Sequence, residues 1–333
     1  MLAEITRSRN AHSQYLQYSA VFGKITDIMD SNGFSAKNTS FGRAQTFPLR
    51  LGWLPKMCRM LENEKSMSVD ECITEWGVGK NMVTAMWHWA HAANVAEEKT
   101  RSLSEFGRLV LGKSDKDGYD PYMEDEATLW LLHWEIASRP RHFTAGYCLF
   151  NWYFKPDGFL PEDAATEITE RLHNNGATVE KEPVRRDINT ALKMYARRDV
   201  STNDEALESP FPNLDLITYV PAAKCYYSDF EARDSLPANV VGYAAARLLE
   251  TTGKTDIPIR DRTRDNPYPS LDAVFRLTED ALLQKLHDFC RDMPAFQLRE
   301  LAGEWRLYMP GSDYPTSELL LNKIYSNNKN KTC

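Results

Sequence analysis

At 333 residues, with 42% hydrophobic and 26% charged side chains, the chain has the composition of an ordinary globular protein and enough length for two or three domains. A net charge of −7 and a pI of about 5.6 exclude a protein coated in nucleic acid over its whole surface, while leaving room for a local basic face. No apolar run approaches the roughly 20 residues of a membrane span. The opening MLAEITRSRNAHSQ lacks the apolar core of a secretory signal, and the six cysteines at 58, 72, 148, 225, 290 and 333 form no CxxC pair; together these predict a cytoplasmic protein with neither a disulfide frame nor a structural zinc.

In chain order, Tyr15, Leu16, Tyr18, Val21, Ile25 and Ile28 are spaced for one early helix, and residues 31–40 read as a loop. FGRAQTFPLRLGWLPKM, residues 41–57, is dense in aromatics and carries Arg43, Arg50 and Lys56. Rings at this density build core, so Phe41, Phe47 and Trp53 are expected to be buried at the start of the first domain. A functional reading adds Arg43 and Arg50 as phosphate contacts.

The most informative stretch is 69–95, VDECITEWGVGKNMVTAMWHWAHAANV. Val69, Cys72, Ile73 and Trp76 fall at i, i+3, i+4 and i+7, one face of a helix. Gly77 and Gly79 break that pattern, and a tight turn belongs there because glycine tolerates positive φ. A second helix starts near Asn81, with Val83, Met86, Trp87 and Ala90 as its apolar stripe and Asn81, Thr84, His88 and His91 opposite. Two short amphipathic helices joined by a glycine turn suggest a helix-turn-helix whose polar stripe enters a major groove. The same pattern also serves as plain core packing in many helical domains, and Lys80 is the lone full positive charge between Gly77 and Val95.

The pair FGRAQTFPLRLGWLPK and GVGKNMVTAMWHW resembles the opening motifs of a bacterial family catalogued as domain of unknown function four thousand and seven. DPYMEDEATLWLLHWEIA, residues 120–137, resembles that family's next signature, and NLDLI, residues 213–217, a weaker one, so the resemblance runs from about residue 41 to 325. It implies a winged-helix protein associated with sulfur modification of DNA (phosphorothioation) and related antiphage defence islands, beside a sulfur-transfer enzyme similar to phosphoadenosine-phosphosulfate reductases. The chain departs from the family pattern where arginine is common in the second helix and Met86 and His88 stand here.

Further on, residues 103–111 read equally as a wing or a short helix. DKDGYDPYMEDE, residues 115–126, places acids like a calcium loop, but Asp120 stands where glycine is required and Pro121 follows, so a turn leading into a helix with Glu124, Asp125 and Glu126 at its start is the better reading. That helix carries Leu129, Leu132, Trp134 and Ile136, with His133 packed or at the surface. Pro156-Asp157-Gly158 is a strong turn. Ala165, Ile168 and Leu172 mark another helix. Pro183 opens one with Val184, Ile188, Ala191, Leu192 and Tyr195 on one face and Arg185, Arg186, Lys193, Arg197 and Arg198 elsewhere, against Asp187 and Asp199: a second helix-turn-helix facing phosphates, or a solvated face beside a core stripe. Residues 201–213 read as a linker, 214–227 as short strands about Pro221, 240–250 as a helix, 253–270 as a mobile loop with solvated Arg260, Arg262 and Arg264, 271–277 as a strand, and 278–291 as a helix capped by Thr278. A last helix holds Leu319, Leu320, Leu321, Ile324 and Tyr325.

No Walker loop, GxGxxG or GxSxG is present, and GVGK lacks the Walker spacing. His88 and His91 have no nearby partners for a tetrahedral metal set. Cys72 and Cys148 fit apolar faces, where thiols are inert. Asp120, Glu124 and Glu135 could be united as nuclease carboxylates by the fold alone.

The sequence therefore predicts a mainly α protein with winged-helix-like helix-turn-helix units, short strands and a helical C-terminal part. It divides into an N-terminal domain at 1–112, a helical domain with the second unit at 113–200, a C-terminal domain at 201–326 and a disordered tail at 327–333. The expected function is a non-enzymatic DNA-binding adaptor or regulator in phosphorothioation-linked defence, without cofactor or metal. It would contact double-stranded DNA through Arg43, Arg50, Lys80, Asn81, Thr84, His88, His91, Arg185, Arg186 and Lys193. The alternative is a scaffold that docks the sulfur-transfer enzyme and touches no DNA.

Overall fold

The structure, a computed structural model, describes residues 33–63, 67–113, 118–197, 209–263, 266–311 and 313–329. The early helix expected at Tyr15 to Ile28, most of the 201–213 linker, Arg198, Asp199, Arg264 and the last four residues of the tail lie outside these.

Helices dominate. The first, α1 (Trp53–Glu62), buries Trp53, Leu54, Met57, Cys58 and Met60 and has Pro55 in its first turn, where a missing N–H costs little. α2 (Val69–Trp76) and α3 (Lys80–Ala92) follow, joined across Gly77. Where a wing was one of two readings, the chain makes a single antiparallel bridge, Ala96 with Leu103, and then enters α4 (Glu105–Leu111). The Ser104 hydroxyl caps α4 by accepting from the Gly107 N–H at 2.8 Å.

The centre of the molecule is α5 (Glu126–Ser138) and α6 (Thr144–Asn151). Residues 127–138 of α5 and all of α6 are buried, so neither shows the amphipathic periodicity of a surface helix. α7 (Pro161–Asn174) packs along α8 (Lys181–Tyr195) as a pair. A three-stranded sheet follows, in the order β1 (Ala196–Arg197), β2 (Ile217–Val220), β3 (Cys225–Tyr227), with β1 and β2 parallel and Val220 opposite Cys225 in the hairpin.

The C-terminal part is α9 (Ala238–Thr252), β4 (Asp256–Pro258), α10 (Leu271–Phe275), α11 (Glu279–Asp292), the hairpin β5 (Gln297–Leu301) and β6 (Glu304–Tyr308), and α12 (Ser317–Lys329). β6 lies between β4 and β5, antiparallel to both. α9 is pressed against α11 closely enough that a Cβ at Gly242 would stand 2.0 Å from the Phe289 ring. Thr128 on α5 and Tyr325 on α12 share a hydroxyl–hydroxyl bond of 2.7 Å. Buried side chains from Ala44 to Tyr325 form one contiguous cluster among the described residues. No helix among them is long and apolar enough to cross a membrane.

Three expectations change. Residues 271–275 are helix instead of strand, because all five are buried and no polar face betrays the 3.6-residue period. The stretch 253–270 contributes β4 to a sheet and is not wholly loop. Arg260 and Arg262 are not simply solvated: both pair with the buried Asp272, and Arg262 lies 4.1 Å from the Phe230 ring centroid. His133, expected to be packed or at the surface, is fully packed, bonded to the Tyr195 hydroxyl at 2.9 Å and the Val274 carbonyl at 2.8 Å.

Candidate nucleic-acid interface

The α2–α3 pair is built as its residues dictate. Ser68 and Glu71 make a reciprocal capping box: the Ser68 hydroxyl accepts from the Glu71 N–H at 3.3 Å and the Glu71 carboxylate accepts from the Ser68 N–H at 2.7 Å. Gly77, at φ 64°, ends α2 in the left-handed region, and its N–H donates to the Ile73 carbonyl at 3.0 Å. On α3, Val83, Met86 and Ala90 are buried, and the Trp89 indole N–H donates to the Phe47 carbonyl at 3.0 Å.

The opposite stripe is exposed for its first turn and a half: Lys80, Asn81 and Thr84 face solvent. Beyond Thr84 the expectation of an outward stripe fails. His88 is 8% exposed, and burial pushes its pKa down to about 3, so it is neutral at pH 7. His91 is half-buried and also shifted down by burial. The His88 ring packs edge-on to Phe143, 6.0 Å between centroids, and the 41–47 segment lies alongside α3. Phe41, Arg43 and Gln45 meet Thr84, Trp87, His88 and His91 around a groove of about 430 Å³, and His142 completes it. Of the rings in that segment, Trp53 is buried, while Phe41 and Phe47 are half-buried against the core.

Arg43 is 62% exposed and pairs with Glu98 at 3.3 Å; Arg141 reaches the other oxygen of the same carboxylate at 3.1 Å. Arg50 stands apart, its guanidinium 5.6 Å from the Trp53 ring centroid. The neighbour of Arg43 ties the segment to the second helix pair. Gly42, at φ 72°, donates its N–H to the Asp187 carboxylate on α8 at 2.8 Å. Burial raises Asp187 to about 6 against the lowering effect of that bond.

On α8, Arg186 and Lys193 are exposed. Arg185 lies bidentate on Glu182, its Nε and Nη2 each donating at 2.8 Å, and Lys181 pairs with Glu162, so part of the local positive charge is neutralised within the helix pair. The structure therefore brings Arg43, Thr84, His88 and His91 to one groove, with Arg186 on the segment adjoining it through Gly42 and Asp187. Arg50 and Lys193 do not line that groove.

Next to the groove, sharing Glu98 and His142 with it, is a larger cleft of about 1050 Å³. Glu135 of α5 is buried beside it, accepting from the Tyr243 hydroxyl at 3.1 Å with Arg139 at 3.9 Å. Burial raises the Glu135 pKa, opposed by Arg139. His142 takes Arg139 at 3.2 Å and is held neutral, near 2, by burial and that cation. Glu97, Glu98, Glu105, Glu135 and Glu250 on the cleft wall are nearly balanced by Lys99, Arg139, Arg141 and Arg247, so the cleft offers a polyanion no strong positive excess. Asp120 is engaged elsewhere, accepting from the N–H groups of Glu124 and Asp125 at 2.9 Å each and from Thr128 at 2.6 Å, and neither it nor Glu124 lines the cleft. Three thiols are unsuited to attack: burial raises Cys58 to about 12 and lifts Cys72 and Cys148.

A family model described as protein of unknown function (DUF4007) matches residues 41–325. The chain belongs to that family. Two solved structures resemble it. A magnesium ion-bound SspB crystal structure superposes with a TM-score of 0.73 at 25% identity, over 88% of this chain and 90% of that one. A second SspB crystal structure gives 0.70 at 25% identity, over 86% and 88%. No curated protein matches the chain.

The cleft was missed by sequence reasoning, although a signal for it existed. Glu135 and Arg139 sit four apart at the end of a run otherwise read as apolar, and an acid buried in such a helix needs a partner. Tyr243 and Arg247, on a helix over 100 residues away, carried no comparable signal.

Proposed function

We propose that this DUF4007 member is a DNA-binding adaptor or regulatory subunit of a DNA phosphorothioation or related antiphage system. It grips duplex DNA with the face made by α3, the 41–46 segment and α8. One observation carries the reading: the 41–46 segment joins the two helix pairs, with Arg43 beside Thr84 on one side and Gly42 bonded to Asp187, next to Arg186, on the other. Cations far apart in sequence then serve a single polyanion, although the chain as a whole is acidic. Lys80, Asn81 and Thr84 sit at the N-terminal end of α3, the part of a recognition helix that meets base edges, and buried His88 limits insertion to that end. The Ala96–Leu103 turn takes the place of a wing, with Lys99 and Arg101 on it.

The sulfur-modification setting rests on the family resemblance, which also supplies the partner: a sulfur-transfer enzyme similar to phosphoadenosine-phosphosulfate reductases. One SspB structure carries magnesium by its description. In this chain no three His, Cys, Asp or Glu side chains among the described residues converge as a metal set. Duplex binding in low salt, followed by fluorescence anisotropy, tests the reading: a saturable curve weakened at least about tenfold by Arg43→Glu with Arg186→Glu, and a salt slope lower by roughly two, support it. No binding up to tens of micromolar transfers the function to the second reading, a scaffold for the sulfur-transfer enzyme, which the net charge favours.

A further inference from the structure

The groove beside α3 has features that duplex contact does not use. His88 and His91 both line it, and the Nε2 atom of each is buried without a hydrogen-bond partner. A buried polar atom left unpaired costs about as much as a lost hydrogen bond, so two orphans three residues apart mark an absent partner. No three ligating side chains are placed there for a metal ion among the described residues. A bare anion would engage Arg43 alone, in competition with Glu98, and would leave the aromatic part of the groove unused. The rest of the lining is aromatic and polar: the rings of Phe41 and Trp87, with Thr84 and Gln45. The volume, about 430 Å³, is in the roughly 300–1,000 Å³ range of small-molecule pockets and too small for a duplex.

We propose that this groove takes a single nucleotide. Its base lies against Phe41 and Trp87 with its polar edge on His88 and His91, and its phosphate replaces Glu98 on Arg43. Flat aromatic faces accept any base by stacking. Imidazoles satisfy the ring edge, and the guanidinium, now held by a carboxylate, exchanges one oxyanion for another. The nucleotide is either free in solution or swung out of a bound duplex, and both present the same chemistry.

Calorimetric titration of the full chain with the four nucleoside 5′-monophosphates and with inorganic phosphate tests the first source. The second is tested by a duplex carrying 2-aminopurine, with fluorescence and anisotropy recorded on the same samples. For a free nucleotide, at least one monophosphate binds, Arg43→Ala weakens it about tenfold, and Glu98→Gln strengthens it by removing the competitor. For an extruded nucleotide, the monophosphates do not bind but 2-aminopurine brightens on complex formation, and Arg43→Ala suppresses that rise. Both side chains are at least a third exposed, so the variants remain folded, as circular dichroism would verify. Inorganic phosphate binding as tightly as the monophosphates overturns the proposal, as does the absence of both signals. Because anisotropy is followed in parallel, duplex binding without either signal removes this inference and leaves the DNA reading standing. Monophosphate binding without duplex affinity does the reverse.

Discussion

Single residues set the acid sensitivity of this protein. His133 is completely buried and its pKa is pushed down to about 3, so the folded chain refuses a proton that the unfolded chain accepts near 6.5. Its support for folding is therefore present above pH 6.5 and is lost as pH falls toward 3, at up to about 1.4 kcal/mol per pH unit. Asp187 acts in the opposite sense: raised to about 6, it favours folding most below about 4 and withdraws that support as pH rises through 6. The slope is best read as a difference: urea unfolding of His133→Gln between pH 7 and 5 should show a pH dependence shallower than wild type by about 1 kcal/mol per unit. Equal slopes would contradict a neutral His133. A second residue carries the join between α6, α10 and the strand region. The Arg276 guanidinium donates all five of its N–H groups, to the carbonyls of Leu149, Phe150, Tyr153 and Ala273 and to the Ser228 hydroxyl, at 2.8–3.1 Å. Arg276→Lys keeps the charge with fewer donors and strands buried carbonyls, so a loss of about 2–4 kcal/mol is expected in chemical denaturation.

At the scale of elements, the turn between α2 and α3 and the strap from Gly42 to α8 make separable predictions. A Cβ at Gly77 would meet nothing within 4 Å, so Gly77→Ala is penalised solely by its left-handed backbone, by about 1–2 kcal/mol in thermal or urea unfolding. Asp187→Ala leaves the Gly42 N–H without its acceptor; a stability loss of about 1–3 kcal/mol and weaker duplex binding are expected, with Asp187→Asn nearer to wild type because it still offers an oxygen. The α2–α3 pair, the Thr278 cap and the short strands about Pro221 were legible in the sequence because period, glycine and capping chemistry all act locally. The helix 271–275 was not, since total burial erases the contrast between faces. The β5–β6 hairpin gave no signal, β5 being mostly exposed and β6 mostly half-buried without a clear alternation. His88 was misplaced for a tertiary reason: helical spacing puts it with Thr84, but Phe143, distant in sequence, packs against that part of the face.

For the whole molecule, charge argues against nucleic acid and arrangement argues for it. In an acidic chain the strap carries Arg43 and is bonded through Gly42 to Asp187, next to Arg186, while Lys80 is exposed at the start of α3. The candidate residues were thus readable individually, but their proposed convergence was not, because it depends on a single backbone-to-carboxylate bond spanning 145 positions. Amide hydrogen exchange of the full chain with and without duplex DNA tests that convergence most directly. Simultaneous slowing in 41–46, the first turns of α3 and the 185–193 face of α8 is the predicted outcome. Protection of one of these segments alone, or of none while the DNA is bound, would contradict a shared face.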